Sequence, residues 1–162
     1  MRILQQHLDF IEYEPREKEI SQAEEAEKKK YRYDEIVVLF TSVEKGDNDE
    51  VAKQAVMGVK DFLGKLKVNR IIIYPYAHLS SDLARPKEAL AVLKSMEGYA
   101  KEAGIETYRS PFGWNKAFQI KVKGHPLAEQ SRVYSAGVAA TTPAAPVPPK
   151  EIEKVSRERK AE

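Results

Sequence analysis

The sequence contains no cysteine. That excludes disulfides, thiolate nucleophiles and cysteine-ligated zinc, and it fits a cytoplasmic protein. Histidine is scarce: His7, His78 and His125 are far apart, and no pair has metalloprotease spacing, so no metal is expected. There is no P-loop and no Gly-x-Gly-x-x-Gly, which argues against nucleoside-triphosphate chemistry. No apolar run approaches the ~20 residues of a membrane span. The segment after Met1 alternates and soon turns acidic, unlike a signal peptide, so no membrane partner is expected. A charge excess of one sign is missing too: 27 basic residues face 25 acidic ones, for a net charge of +2. Net charge therefore does not argue for a nucleic-acid partner. Its distribution leaves two readings open. Lys116, Lys121, Lys123, His125 and Arg132 share one short stretch, which suits either a phosphate backbone or a solvated strand face.

What is present reads as one α/β domain of ordinary size, long enough to bury a core. Arg2 to Glu14 reads as a strand closed by Pro15. Residues 16–31 are rich in Glu, Lys and Ala, and read as an exposed helix or an excursion outside the core. Glu35 to Val43 carries the continuous run Ile36-Val37-Val38-Leu39-Phe40, expected of a strand buried on both faces. After Gly46-Asp47-Asn48-Asp49, the residues Val51, Ala55, Val59, Phe62, Leu63 and Leu66 recur at helical spacing, with Asn48 or Asp49 as N-cap. Asn69 to Tyr74 is a third strand. A second helix starts at Pro86, buries Leu90, Leu93, Tyr99 or Ala100, and Ala103, and stops at Gly104. Strands at Ile105–Arg109, Lys116–Lys123 and Leu127–Val133 complete the pattern, the last two close enough to form a hairpin. The expectation is a mixed sheet covered by two main helices, with parallel strands across each helical crossover. The domain is expected to span residues 1–135. An Ala/Pro-rich linker, 136–149, then leads to a charged tail, 150–162, and on to a C-terminal part in the same polypeptide or encoded apart.

Two segments hold the chemistry-bearing residues. One is Tyr74-Pro-Tyr-Ala-His78-Leu-Ser-Ser81-Asp-Leu-Ala-Arg85-Pro86; the other runs from Pro111-Phe-Gly-Trp-Asn-Lys116 to Gly124-His125-Pro126-Leu-Ala-Glu129-Gln-Ser131-Arg132. Each sets polar groups at the end of an apolar strand, where a rigid element delivers a loop. Lys116 is the leading candidate. A surface lysine is the commonest kind. Phe112 and Trp114 beside it can shield it, and a partly desolvated ammonium is a selective donor to a hydroxyl or carbonyl. His78 follows a strand and precedes two serines. A Ser80–His78–Asp82 triad is disfavoured because neighbours in sequence rarely reach that geometry, and no nucleophile elbow is present. Glu129 lies near Arg132 and reads alone as an ordinary ion-pair residue. His125 beside Pro126 reads as a turn residue.

These segments, with Met1-Arg-Ile-Leu4 … Asp9-Phe-Ile-Glu-Tyr-Glu14 and Phe40-Thr-Ser-Val-Glu-Lys45, resemble the N-terminal editing domain of archaeal-type threonyl-tRNA synthetases in collinear order over roughly residues 1–135. The resemblance implies a D-aminoacyl-tRNA deacylase-like fold. It implies hydrolysis of seryl-tRNA(Thr) with threonyl-tRNA(Thr) spared, assisted by the 2′-hydroxyl of the terminal adenosine. It places Lys116 and His78 in the pocket as catalytic residues. Ser42 and Val43, with the backbone of Tyr76 and Ala77, would hold the adenine. Trp114, Asn115 and Glu129 would also contact substrate, Glu129 either at the adenosine or holding Lys116. Asn115 departs from relatives that carry a tyrosine there. The resemblance implies a homodimer acting on the tRNA(Thr) acceptor end, with a synthetase catalytic domain in cis or in trans. No cofactor is expected here; ATP and zinc would belong to that other domain. Two other readings remain. One is a D-aminoacyl-tRNA deacylase, whose Ser-Gln and Gly-Pro signatures are not found. The other is a non-catalytic module for acceptor-end binding or dimerisation.

Overall fold

A computed structural model describes residues 1–141. One long strand organises the molecule. β1 (Arg2–Lys18) runs antiparallel to β2 (Tyr31–Ser42) along one edge. Its other edge receives two shorter strands in succession: β6 (Glu129–Ser135) opposite Arg2–Gln6, and β5 (Trp114–Val122) opposite Leu8–Lys18. The changeover falls at His7, whose N–H bonds to Ala128 O at 2.7 Å and whose carbonyl accepts from Lys123 N at 2.9 Å. β2 continues through parallel pairing to β3 (Arg70–Pro75) and then β4 (Glu106–Arg109), while β7 (Val138–Thr141) borders β6. The result is a seven-stranded mixed sheet. α1 (Asp49–Leu66) links β2 to β3, and α2 (Pro86–Glu102) links β3 to β4.

Strand alternation splits the core in two. Val37, Leu39, Ile71 and Ile73 face the helices and pack on Val51, Ala55, Val59, Leu93 and Met96. Ile36, Val38, Phe40, Ile72 and Tyr74 face the other way, where Leu8, Ile11 and Tyr13 of β1 meet them. Neither described α-helix covers this second face. The sheet curls instead, so that Phe118 of β5 reaches the rings of Phe40 and Tyr74, 5.7 and 5.4 Å away, across the intervening strands.

The helix boundaries follow their signals. The Asn48 side chain accepts from Val51 N at 3.1 Å, Pro86 opens α2, and Gly104 follows it at φ +82°. The core face of α2 includes Leu93 and Ala100 as expected, but Ala89, Val92 and Met96 complete it, whereas Leu90 and Ala103 are only half-buried. Four further expectations are corrected. Pro15 does not end β1: pairing with β2 stops at Tyr13, and the missing N–H is absorbed beside a bulge between Pro15 and Glu17. Residues 19–30 are not helical; they are an excursion from the sheet laid as a strap against the 110–114 loop. β5 and β6 form no hairpin, because both bond to β1. Finally, the first residues of the linker expected from residue 136 form a turn and β7; the remaining linker residues and the 150–162 tail lie outside the described residues. No described helix is long and apolar enough to cross a membrane.

Gly58 marks a close approach of α1 to β6. A Cβ there would lie 2.3 Å from the hydroxyl of Tyr134, which is itself buried. Alanine is favoured over glycine in a helix by about 1 kcal/mol, but overpacking costs ~1–3 kcal/mol. Gly58→Ala is therefore expected to lower stability by about 1 kcal/mol, read as a lower urea midpoint at unchanged slope; an unchanged or higher midpoint would contradict this packing.

Candidate active site

The carboxyl ends of the parallel strands β2 and β3 open into a cavity of about 240 Å³, the usual location of ligand sites in such sheets. Thr41, Ser42 and Val43 form one wall, and Pro75, Tyr76 and Ala77 the next. One backbone and one side-chain bond lock the two together: Tyr76 N donates to Thr41 O at 2.9 Å, and Ser42 Oγ donates to Tyr76 O. Leu83 and Ala84 make a rim, held by Ala84 N to Val43 O at 3.0 Å. Ala89 and Leu93 of α2 supply the apolar floor. Phe112, Gly113, Trp114 and Lys116 close one side, and Glu19 and Ile20 of the strap cover it. Only Glu19 and Lys116 carry charge among the lining residues.

Lys116 leads back into the fold. Alternation along β5 puts it on the same side as Phe118 and Ile120, facing the second core. Its stem is half-buried, but its ammonium donates to Pro111 O at 2.7 Å and sits 4.6 Å from the centre of the Tyr74 ring. Burial pulls the Lys116 ammonium from its ordinary 10.5 down to about 8, against the opposing charges of Glu24 and Glu19. Burial also pushes the Tyr74 hydroxyl far above its ordinary value, so that ring stays neutral beneath the cation.

The strap is fixed by Glu24. Arg109 grips its carboxylate with both terminal nitrogens, Nη2 to Oε2 at 3.1 Å, and Phe112 N donates to Oε1 at 3.0 Å. Burial alone would raise this carboxyl, but Arg109 and the Phe112 N–H overcome that and hold it below the usual range. The Glu24 backbone joins in: its N–H donates to Phe112 O at 3.0 Å, and its carbonyl accepts from Trp114 Nε1 at 2.6 Å.

Six of the nine residues singled out in the sequence line this cavity: Ser42, Val43, Tyr76, Ala77, Trp114 and Lys116. His78 is adjacent but not among the lining residues. It lies exposed on the 3-10 turn Ala77–Leu79, its ring edge-on to Tyr76 at 5.0 Å. Asn115 is exposed, and alternation directs it away from Lys116. Glu129 is not brought to the cavity within one copy of the chain. It accepts from Gln6 Nε2 at 2.6 Å, and Gln6 lies nine residues along β1 from Pro15, the partner of Lys116, roughly 30 Å at ~3.3 Å per residue. Sequence reasoning missed Glu19, Ile20, Glu24 and Arg109. The available signals were a lone Ile20 in a charged stretch and a single Trp114 whose indole N–H required a partner. Among the described residues no group of His, Asp and Glu could hold a metal ion.

Residues 1–134 match the family model described as the archaea-specific editing domain of threonyl-tRNA synthetase. A threonine–tRNA ligase of Nitrosopumilus maritimus is 49% identical over 134 residues, covering 82% of this chain and 21% of the ligase. A threonine–tRNA ligase editing subunit of Saccharolobus solfataricus is 43% identical over 132 residues, covering 82% of this chain and 34% of the subunit. The chain thus spans about a fifth to a third of the length of these relatives. Two solved structures share the fold. One is a c-Myc DNA unwinding element binding protein, with TM-score 0.60 and 7% identity, covering 91% of this chain and all of that one. The other is a probable eukaryotic D-amino acid tRNA deacylase, with TM-score 0.51 and 14% identity, covering 76% of this chain and 94% of that one.

Proposed function

This chain belongs to the archaea-specific editing domains of threonyl-tRNA synthetase, and from that premise we propose that it hydrolyses the ester of seryl-tRNA(Thr) and spares threonyl-tRNA(Thr). Serine lacks one methyl of threonine, and a missing methylene yields only ~1–3 kcal/mol of discrimination, so a synthetase benefits from a second, hydrolytic sieve. The observation that carries the proposal is the inward-facing Lys116 in an otherwise mostly apolar cavity.

The cavity's hydroxyls are poor nucleophiles. Ser42 Oγ donates to Tyr76 O, and Thr41 Oγ1 donates to Leu39 O at 2.9 Å; neither faces a base. Water is therefore the attacking species. It adds to the ester carbonyl, the bond to the ribose 3′-oxygen breaks, and the proton from water passes through the adjacent 2′-hydroxyl to that leaving oxygen. Serine and uncharged tRNA result. Lys116 stabilises the developing oxyanion, and the strand ends position the terminal adenosine. The Ser42–Val43 and Tyr76–Ala77 backbones, with Ala84, Ala89 and Leu93, offer an apolar slot with polar edges suited to a purine. His78 acts from the rim. The acting form is a homodimer in the cytoplasm, engaging the tRNA(Thr) acceptor end alongside a synthetase catalytic domain in cis or in trans. ATP and zinc serve that other domain, and the editing step needs no cofactor.

A paired deacylation assay tests this. Seryl-tRNA(Thr) is expected to lose its amino acid rapidly and threonyl-tRNA(Thr) to persist. Faster turnover of D-aminoacyl-tRNA would favour the deacylase reading instead, and tRNA binding without turnover of any ester would reduce the chain to an acceptor-end binding module.

A further inference from the structure

The strap residue Glu24 does more than tie two loops together. It touches three of the residues that shape the approach to Lys116: Arg109 at the end of β4, Phe112 through its N–H and carbonyl, and Trp114 through its indole. Pro111, whose carbonyl receives the Lys116 ammonium, sits between the first two. The loop that orients Lys116 is therefore pinned at both flanks by one acidic residue. We infer that Glu24 is the positioning residue for Lys116: it fixes the 110–114 loop whose Pro111 carbonyl holds the ammonium, and it sets a carboxylate beside that loop. The functional part of this inference rests on the hydrolytic reading above; the coupling of the two side chains does not.

The charges around the pair can be named. Arg109 faces Glu24 from β4 and is held in turn by Glu97 of α2, with Nε to Oε1 at 3.4 Å. Lys94 of α2 acts on Glu24 from the same side. Glu24 and Glu19, both from the strap, act on Lys116. Glu19 is bonded through its backbone N–H to Gly113 O at 2.8 Å, but its carboxylate is exposed and makes no hydrogen bond or salt bridge to another described residue. Glu24 is partly buried, so its field is screened less. Arg109 competes with Lys116 for Glu24, so removing either partner of that ion pair should move Lys116 in opposite directions. A mere structural tie, by loosening the loop and lessening the burial of Lys116, would move it upward in both.

The test follows the Lys116 ammonium directly. Protein labelled with 13Cε-lysine, with the Lys116 signal assigned by its loss in Lys116→Met, is titrated by NMR. Glu24→Gln keeps the shape and an acceptor for the Phe112 N–H but removes the charge. It is expected to move the Lys116 midpoint to lower pH by on the order of half a unit or more. Arg109→Gln removes the cation bonded to Glu24, leaving Lys94 as the other cation acting on that carboxylate, and is expected to move the midpoint upward. In seryl-tRNA deacylation the high-pH limb should follow the same shifts, and Glu24→Gln should lower kcat severalfold with little change in KM. Midpoints that stay at the wild-type value in folded variants, or that rise in both, would overturn the inference, whatever their thermal stability. If Glu24→Gln does not fold, an unmoved or lowered midpoint in Arg109→Gln still overturns it. If the wild type deacylates no ester, the hydrolytic reading fails, and with it the role in catalysis; the titration still reports separately on the coupling.

Discussion

Lys116→Met is expected to cut the release of serine from seryl-tRNA(Thr) at least a hundredfold and, at neutral pH, to make the protein more stable. The first effect follows from the proposed role. A donor aimed at a developing oxyanion is worth ~10²–10³ in rate when removed, and methionine matches the lysine stem while offering no charge and no N–H. The loss should fall on kcat, because the adenosine slot is built from other residues. The second effect follows from linkage. The folded-state value of Lys116 lies near 8 against an ordinary 10.5 because burial disfavours the ammonium. Between those values the unfolded chain binds the extra proton, so stability rises with pH across that window, and the cost of the buried charge is fully present below about 8. Discounted for the half-exposed stem, that cost is of order 1–2 kcal/mol. The variant removes it, so its melting temperature should exceed the wild type's at pH 7 and converge with it towards pH 10. Activity runs the other way: wild-type turnover should fall as pH rises through about 8, when the ammonium is lost. Retained turnover in Lys116→Met would sink the mechanism. A lower melting temperature would show that the contacts to Pro111 and Tyr74 outweigh desolvation.

The elements that could be read from the sequence are those whose signal is local. Ile36–Phe40 and Ile71–Ile73 are continuous apolar runs, and both are strands buried on two faces. The α1 stripe from Val51 to Leu63 repeats at three and four, and that face is buried. The α2 stripe held at Leu93 and Ala100 but misled at its ends, where small Ala89 packs inward beside a half-buried Leu90 and Ala103 is only half-buried. Proline was read too strongly at Pro15, since a strand past the end of its neighbour has an edge on which a missing N–H costs nothing. The β5–β6 hairpin failed for a non-local reason. Only the 17-residue length of β1 lets two strands share one edge in tandem, and nothing in residues 114–135 announces that.

The site divides in the same way. Ser42, Val43, Tyr76 and Ala77 sit where strands end, and strand ends were legible. Lys116 was legible because aromatics flank it. The strap was not, because its attachment is an ion pair between Glu24 and Arg109, 85 positions apart, embedded in a stretch whose other charges face solvent. Charge runs of this kind look alike in sequence whether one member is docked or none is.

Gly113→Ala should open the cavity without unfolding the domain, and it tests the strap independently of any charge. Gly113 has φ +82°, a backbone conformation that costs a residue with a Cβ roughly 1–2 kcal/mol. An added Cβ would also meet Ala23 Cα at 2.8 Å, and Ala23 Cβ and Ile20 Cγ1 each at 3.0 Å. The first of these atoms is backbone, so no rotamer change relieves the clash; the strap itself must move. Glu19 N to Gly113 O, at 2.8 Å, would be strained with it, as would the indole bond from Trp114 to Glu24 O. Trp114 is the only tryptophan in the sequence and is now buried, so its fluorescence reports the event cleanly. Emission should shift to the red in Gly113→Ala while the far-ultraviolet circular dichroism stays put. Proteolysis within residues 19–30 should accelerate, and seryl-tRNA turnover should fall by at least tenfold, since displacing Glu19 and Ile20 removes a wall of the cavity that orients the ester and the attacking water. Unchanged emission with full activity would mean that the strap yields without disturbing the cavity, and its part in the site would have to be abandoned.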